Sequence, residues 1–470
     1  MVVPLKPDPN RILAFCGISI AMEKVDESSE KKGVTESIVS VAKNEGEDDA
    51  SSRMTARKAL EGFLSDLDCI STSIIPAVSV LVGIANKSQE SLDSYFVELE
   101  KKYPNPDDLL SHEDLNEGDK LLKIFKSSNG AISIVPRSFI LILISQFDSF
   151  IGNMVRAILT KRSHILNSSN NIITYGQLFQ FNSIEAAKDY LIDQEVDSVL
   201  RGSHAEHFDW LDKKLKTDLR KYMDVWPQFV EITERRNLFA HTDGKVSRQY
   251  IDNCNKHGYK FNASPSLNEQ LEVDPEYFSE AINCLTEVAL KTGHTVWRLL
   301  NPEEKDEADK NLQNIVFEML VAKKDKLVIE ISKMALHPVY AKDMDEGNRL
   351  YIVINMAIAY KRLNRLQEMN DLLSREKWEF LDDVYKLAHL CLMGDYAKAS
   401  NLMVKCGNND DLKEDGFKTW PIFDEFRDTQ LFKDAFKAIF HKEYEPLQEV
   451  PIKNLHDIVS EIKSSEKYLP

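Results

Sequence analysis

The stretch Glu231-Ile232-Thr233-Glu234-Arg235-Arg236-Asn237-Leu238-Phe239-Ala240-His241-Thr242-Asp243-Gly244 decides how this chain is read. A run of helix-compatible residues meets Thr-Asp-Gly, a stop signal whose glycine is free to take the left-handed conformation that ends helices. Just before the stop stand Arg236 and Asn237, followed four residues later by His241. Arginine carries a permanent charge and a planar fork of donors that fits a phosphate. Histidine titrates near neutral pH and can give or take a proton. Asparagine can hold either group in place. Five steps on an ideal α-helix turn through about 500°, which sets Arg236 and His241 roughly 140° apart. With the helix ending at Thr242, His241 is expected in the last turn or just past it, its ring free to swing back toward Arg236. An arginine and a histidine near a helix C-terminus can also simply offset the helix dipole.

Working outward, the helix with these residues is expected from about Trp226 to Ala240, within a block of helices. Pro136 is expected to open a long helix through about Thr160, since proline favours the first helical position. Its face Phe139, Ile142, Leu143, Gln146, Phe147, Phe150 and Met154 follows the helical period. Asn182-Ser183-Ile184-Glu185 has the form of a capping box for a helix running to about Arg201. Helices from Glu206 to Lys216 and from Pro275 to Trp297 complete a bundle with short connections.

The Arg-Asn-x3-His string, in the middle of an all-helical domain, resembles the ribonuclease motif of the HEPN superfamily, helical-bundle domains common in bacterial toxins and phage-defence proteins. The resemblance covers about residues 130–300, and the motif string is its specific part. It implies a metal-independent endoribonuclease, a toxin or antiviral defence (abortive infection) effector that cuts cellular or phage RNA. In that chemistry the ribose 2′-oxygen attacks the neighbouring phosphorus and leaves a 2′,3′-cyclic phosphate. His241 would be the general base or acid, Arg236 would stabilise the charge growing on the phosphorane, and Asn237 would fix the pocket. Such domains often add a polar residue from a neighbouring helix, a role for which Asp148 is a candidate, although a buried hydrogen bond within the bundle is the more expected use of its side chain. Glu231, Glu234 and Arg235 flank the motif and could orient it or simply favour the helix. Tyr250 and Arg248 could border the phosphate. The resemblance also implies a homodimer, with two motif helices at a two-fold axis. Neither a cofactor nor a metal is expected. The competing reading is a catalytically inactive dimeric scaffold or regulatory binding protein of the same architecture.

The rest of the chain bounds these readings. Its 470 residues are enough for two or three domains, and 43% hydrophobic with 29% charged residues is a globular composition. Seventeen glycines and sixteen prolines argue against a sandwich or barrel. A net charge of −17 is unlike that of a constitutive nucleic-acid binder, so RNA contact would be local. The candidate patches are Lys213, Lys214, Lys216, Arg220 and Lys221, then Arg235 and Arg236. Six scattered cysteines without CxxC spacing fit a reducing cytoplasm. The most apolar run, Ile132 to Ile144, reads as a core helix too short to span a bilayer, so no membrane contact is expected. His204-Ala205-Glu206-His207 has a spacing that can bind zinc when a third ligand arrives. No third ligand is visible nearby in the sequence, and a polar surface is the expected environment.

Four regions are expected: an N-terminal segment 1–53, partly flexible; a helical region 54–130, kinked or broken at Pro76; the HEPN-like bundle 131–300; and a helical array 301–470. The first carries Glu45-Gly46-Glu47-Asp48-Asp49, and one short helix is expected in it around Glu36 to Lys43. In the last, Ala359 to Leu366 and His389 to Ala399 match loosely at an offset of about thirty residues. The second is close to the Gly-x-Tyr-x-x-Ala signature of tetratricopeptide repeats, and Lys323 to Lys326 marks a degenerate unit. A short TPR-like array would expose a surface for a protein partner or phage trigger. A plain helical cap on the bundle is the alternative.

Overall fold

The structure is a computed structural model describing residues 54–105, 108–168, 172–407 and 412–446. The fold is all-α. Among the described residues the only β pairing is a single antiparallel bridge, Lys245–Gln270. The segment 1–53, including the expected helix from Glu36 to Lys43, lies outside the described residues.

Two long helices, α1 (Ala56–Lys102) and α2 (His112–Lys161), run antiparallel. Thr55 caps the first and Ser111 the second, each accepting a free backbone amide. Pro76 was expected to kink or break one helix and Pro136 to open another, yet each lies inside a continuous helix, so the helix is not broken at Pro76 and does not begin at Pro136. Proline removes one backbone hydrogen bond and costs about 3 kcal/mol in a helix interior. The mutual packing of α1 and α2 on both sides of the prolines offsets that cost. On one side Phe63 stacks on Phe150 at 5.0 Å and meets Phe147 edge-on at 5.7 Å. On the other, the buried hydroxyls of Ser88 and Ser128 hydrogen-bond at 2.8 Å. By length and composition alone both helices are long and apolar enough to cross a membrane. The run Ile132 to Ile144, expected to be too short to span a bilayer, is part of a helix of 50 residues; Ile140, Leu143 and Ile144 are buried, whereas Ile134 and Ile142 are exposed.

The bundle continues with α3 (Ile184–Leu200), α4 (His204–Leu215), α5 (Trp226–His241), α6 (Arg248–Lys256) and α7 (Pro275–Leu300). Ser183, not Asn182, caps α3, and its hydroxyl accepts from the Ala186 amide. A full capping box, Ser203 with Glu206, starts α4 two residues earlier than expected. Helix α7 is buried along most of its length. At Gly293 it comes so close to α1 that a Cβ would lie 2.8 Å from the Leu60 side chain.

Beyond residue 300 the helices come in pairs: α8 (Lys305–Val321) with α9 (Asp325–Ala335), α10 (Glu346–Arg362) with α11 (Leu366–Leu373), and α12 (Asp383–Leu392) with α13 (Tyr396–Cys406). Helix α14 (Gln430–Phe440) follows. Each pair turns the same way. Lys323, Asn364 and Gly394 have positive φ of 57°, 56° and 73°. The next amide in each case donates to the carbonyl five residues back: Lys324 to Met319 at 2.9 Å, Arg365 to Tyr360 at 2.8 Å, and Asp395 to Leu390 at 3.0 Å. A left-handed residue with this closing bond satisfies the orphan carbonyls of a helix end. One apolar core runs from Ala56 in α1 to Phe436 in α14, so bundle and helix pairs are continuous.

Candidate functional site

Helix α5 carries the motif and ends where the sequence stops it. The amides of Thr242 and Gly244 both donate to the Leu238 carbonyl, at 2.8 and 3.0 Å. Gly244 has φ +78°, and a Cβ there would come within 2.7 Å of Gln270 Nε2 and 2.9 Å of Phe239 Cδ1, so the turn requires glycine. The helix persists one residue beyond Ala240, which makes His241 its last residue. His241 is exposed, and among the described residues no hydrogen bond or ion pair joins it to Arg236. Helical geometry is kept to the end of α5, which sets His241 about 140° from Arg236 around the helix axis.

Arg236 is half-buried, and its Nη2 donates to Asp148 Oδ2 at 2.9 Å. Its Nε is buried without a partner. Asp148 reaches this point from α2. Its other oxygen, Oδ1, accepts from His204 Nε2 at 2.8 Å. His207 lies one turn further along α4, its ring 5.2 Å from that of His204. It is 2% exposed, and neither ring nitrogen is hydrogen-bonded. Burial is the main cause that pushes the His207 pKa below its ordinary value, with the neighbouring His204 adding to it. The expectation of a polar surface around His204 and His207, with no third ligand at hand, is therefore corrected. Both side chains face inward, and Asp148 stands beside them. A signal was available in the sequence. Once Ser203 and Glu206 are read as the capping box, His204, His207, Phe208, Leu211 and Leu215 share one helix face, and that face is apolar.

Asn237 and Glu234 sit together on the next face. Glu234 accepts from Asn253 Nδ2 at 3.1 Å. Burial raises its pKa, against hydrogen bonds from Asn253 and Asn237 and the nearby charges of His204 and Arg236. Glu234 and Asn237 thus border the Arg236 pocket.

Glu231 and Arg235 do other work. Glu231 is fully buried and accepts from Arg235 Nε at 2.7 Å, Tyr250 Oη at 2.6 Å and Tyr277 Oη at 2.9 Å. The Arg235 guanidinium lies 3.9 Å from the centre of the Tyr277 ring, and its Nη1 donates to the Glu272 carbonyl. Burial and the Glu231 carboxylate drive the Tyr250 and Tyr277 pKa values well up, so both stay neutral donors. This group fastens α5 to α6 and α7. It takes Tyr250, expected near a bound phosphate, into the core, whereas Arg248 is exposed. Arg137, which the sequence did not single out, ion-pairs with Glu272 and Asp243 and lies over the Phe239 ring at the end of α5. In the expected basic patch, Arg220 pairs with Asp209 and stacks over Trp226.

No family model matches the chain, and no curated protein or solved structure is significantly similar to it.

Proposed function

We propose that the chain is an endoribonuclease of the HEPN type, acting on RNA through the 2′-hydroxyl, with the role of a toxin or phage-defence effector in the cytoplasm. The observation that carries this reading is the Arg236–Asp148 contact. The motif arginine is oriented by a polar side chain from a neighbouring helix and is half-buried. Arg236 would stabilise the charge that grows on the phosphorane, the interaction that counts toward rate. His241 would supply the proton-transfer group, and Asn237 with Glu234 would border the pocket.

Among the described residues no hydrogen bond or ion pair joins His241 to Arg236, and a second chain would complete the site. In a homodimer with the exposed ends of α5 near a two-fold axis, His241 of each chain would serve the pocket of the other, because an isologous contact repeats every group on both sides. The helix pairs of residues 305–406 would offer a surface for a protein partner or trigger.

A second reading has its own support. Asp148 already neutralises Arg236, as a scaffold or regulatory binding protein would allow. The deciding experiment incubates the purified chain, and its Arg236→Ala and His241→Ala variants, with a defined RNA and analyses the new ends. Cleavage leaving 2′,3′-cyclic phosphates, lost in both variants, is expected. Intact RNA with all three proteins, and equal tolerance of all three on overexpression, would favour the scaffold. Light scattering at micromolar concentration tests the dimer, and a strict monomer that still cleaves RNA would overturn the composite site.

A further inference from the structure

Asp148, His204 and His207 each present one potential ligand atom, and the three atoms all lie within 4.8 Å of one another. They come from two helices: Asp148 from the middle of α2, the two histidines from the first turn of α4. We infer that these side chains form a binding site for a single transition-metal ion of the zinc class, which ties α2 to the start of α4. The inference stands apart from the ribonuclease reading and assigns the metal no part in RNA cleavage.

Three observations carry it. The first is the buried, unbonded imidazole. His207 is 2% exposed, and both of its ring nitrogens lack a hydrogen bond. Buried polar side chains without a partner are uncommon, and an unplaced ion is one of the few explanations for them. The backbone carbonyls of Gly202 and Leu200 face the same ring without closing a hydrogen bond of normal geometry. A ligating histidine usually turns its second nitrogen to such a backbone acceptor, which fixes the ring.

The second is the donor set. Two imidazoles and one carboxylate suit zinc and its neighbours, whereas calcium and magnesium prefer all-oxygen shells. Three protein ligands leave one tetrahedral position for water. Tetrahedral bonds of about 2.0–2.1 Å put ligand atoms roughly 3.4 Å apart. The 2.8 Å contact between His204 Nε2 and Asp148 Oδ1 would open slightly, and the widest pair would close. Side-chain rotation is enough for both. The metal then takes the place of the hydrogen bond between His204 and Asp148.

The third is the surrounding shell. The rings of Phe147 and Phe229 lie 6.2 and 5.8 Å from that of His204, and they keep bulk water from competing for the ligands. The opposing feature is Arg236, a cation on the far oxygen of Asp148. Its charge is balanced locally by half-buried Glu234, which feels both His204 and Arg236.

The test uses the full chain, stripped with chelator and dialysed, and the ions alone. Zn2+ should bind at one equivalent and raise the melting temperature, since an ion held by the folded state stabilises it by mass action. Co2+ should give the visible absorption of a tetrahedral site. His207→Ala should weaken Zn2+ binding at least 100-fold and abolish the cobalt band. If that variant does not fold, His204→Phe reads the same loss. His112→Ala, at an exposed histidine, should change neither measurement. Absence of one-equivalent binding, or undiminished binding in every folded ligand variant, would overturn the site. No RNA enters the assay, so a failed ribonuclease experiment and a failed metal site are told apart.

Discussion

Asp148 and Arg236 are 88 positions apart and meet at 2.9 Å, while the other oxygen of Asp148 is held at 2.8 Å by His204. One carboxylate thus joins three helices, α2, α4 and α5, at the motif. Its charge sets the position of the Arg236 fork, and its geometry sets the His204 ring.

Asp148→Asn keeps the shape and removes the charge. If Arg236 acts on a phosphate, its misplacement should lower the rate of RNA cleavage about 100-fold, mostly in kcat, since displacements of this order are costly to catalysis. A side chain that only fastened the helices would leave kcat unchanged and lower stability alone. Single-turnover cleavage and urea unfolding of the same variant separate the two outcomes.

His241→Ala should abolish cleavage and leave the fold as it is. The side chain is exposed at the last residue of α5, and substitutions at such positions usually change stability by less than about 0.5 kcal/mol. Circular dichroism melting checks the second half of the claim. Wild-type cleavage by this variant would remove His241 from the mechanism.

Glu231→Ala should act in the opposite way, through stability. It deprives Arg235 of its buried partner and two tyrosine hydroxyls of their acceptor. Breaking a buried pair by removing one member costs about 3–5 kcal/mol. Urea denaturation should show a loss of this size. A loss below about 1 kcal/mol would mean that Glu231 is not the fastening group described here.

His294, buried in α7 and stacked against Trp297, makes stability depend on pH. Burial, with Arg298 nearby, pushes its pKa down to about 3 from 6.5. Between these two values the unfolded chain holds a proton that the folded chain refuses. Its contribution is therefore complete above about pH 6.5 and is lost as pH falls toward 3, by about 1.4 kcal/mol per unit in the middle of that range. Chemical denaturation at pH 7, 6 and 5 should show this slope, and His294→Gln should flatten it. An unchanged slope in the variant would place the pH sensitivity elsewhere.

The motif helix was legible almost to the residue because its ends are local: Trp226-Pro227 starts it and Thr242-Asp243-Gly244 stops it. The helix pairs after residue 300 were legible in part, from the Gly394-x-Tyr396 turn. Pro136 misled as a helix start, and Pro76 as a helix break, because their effect is local too, and here the length of α1 packed on α2 outweighs it. His204 and His207 were misplaced for a different reason. Their facing depends on where α4 begins, and Ser203 fixes that only when read together with Glu206. The sequence offers Asp148 as a candidate extra polar residue of the pocket but does not pair it with Arg236. That pairing depends on the tertiary approach of α2 to α5, and no local pattern records that.

The paired helices also shape the molecule. From Pro76 to Lys102 and from His112 to Pro136, α1 and α2 bury few residues, Ala85, Ser88 and Leu92 on one and Ser128 on the other besides the proline. At 1.5 Å per residue this portion is a lever roughly 40 Å long. A compact chain of 470 residues has a radius of gyration of about 23 Å. Small-angle scattering should give a clearly larger value, with a tail in the distance distribution that shortens when the lever is trimmed by equal lengths from both helices. Such a lever turns a small rotation at the bundle into a large displacement at Tyr103 and Ser111, so its tip is where a label would report motion around Asp148 with the greatest gain.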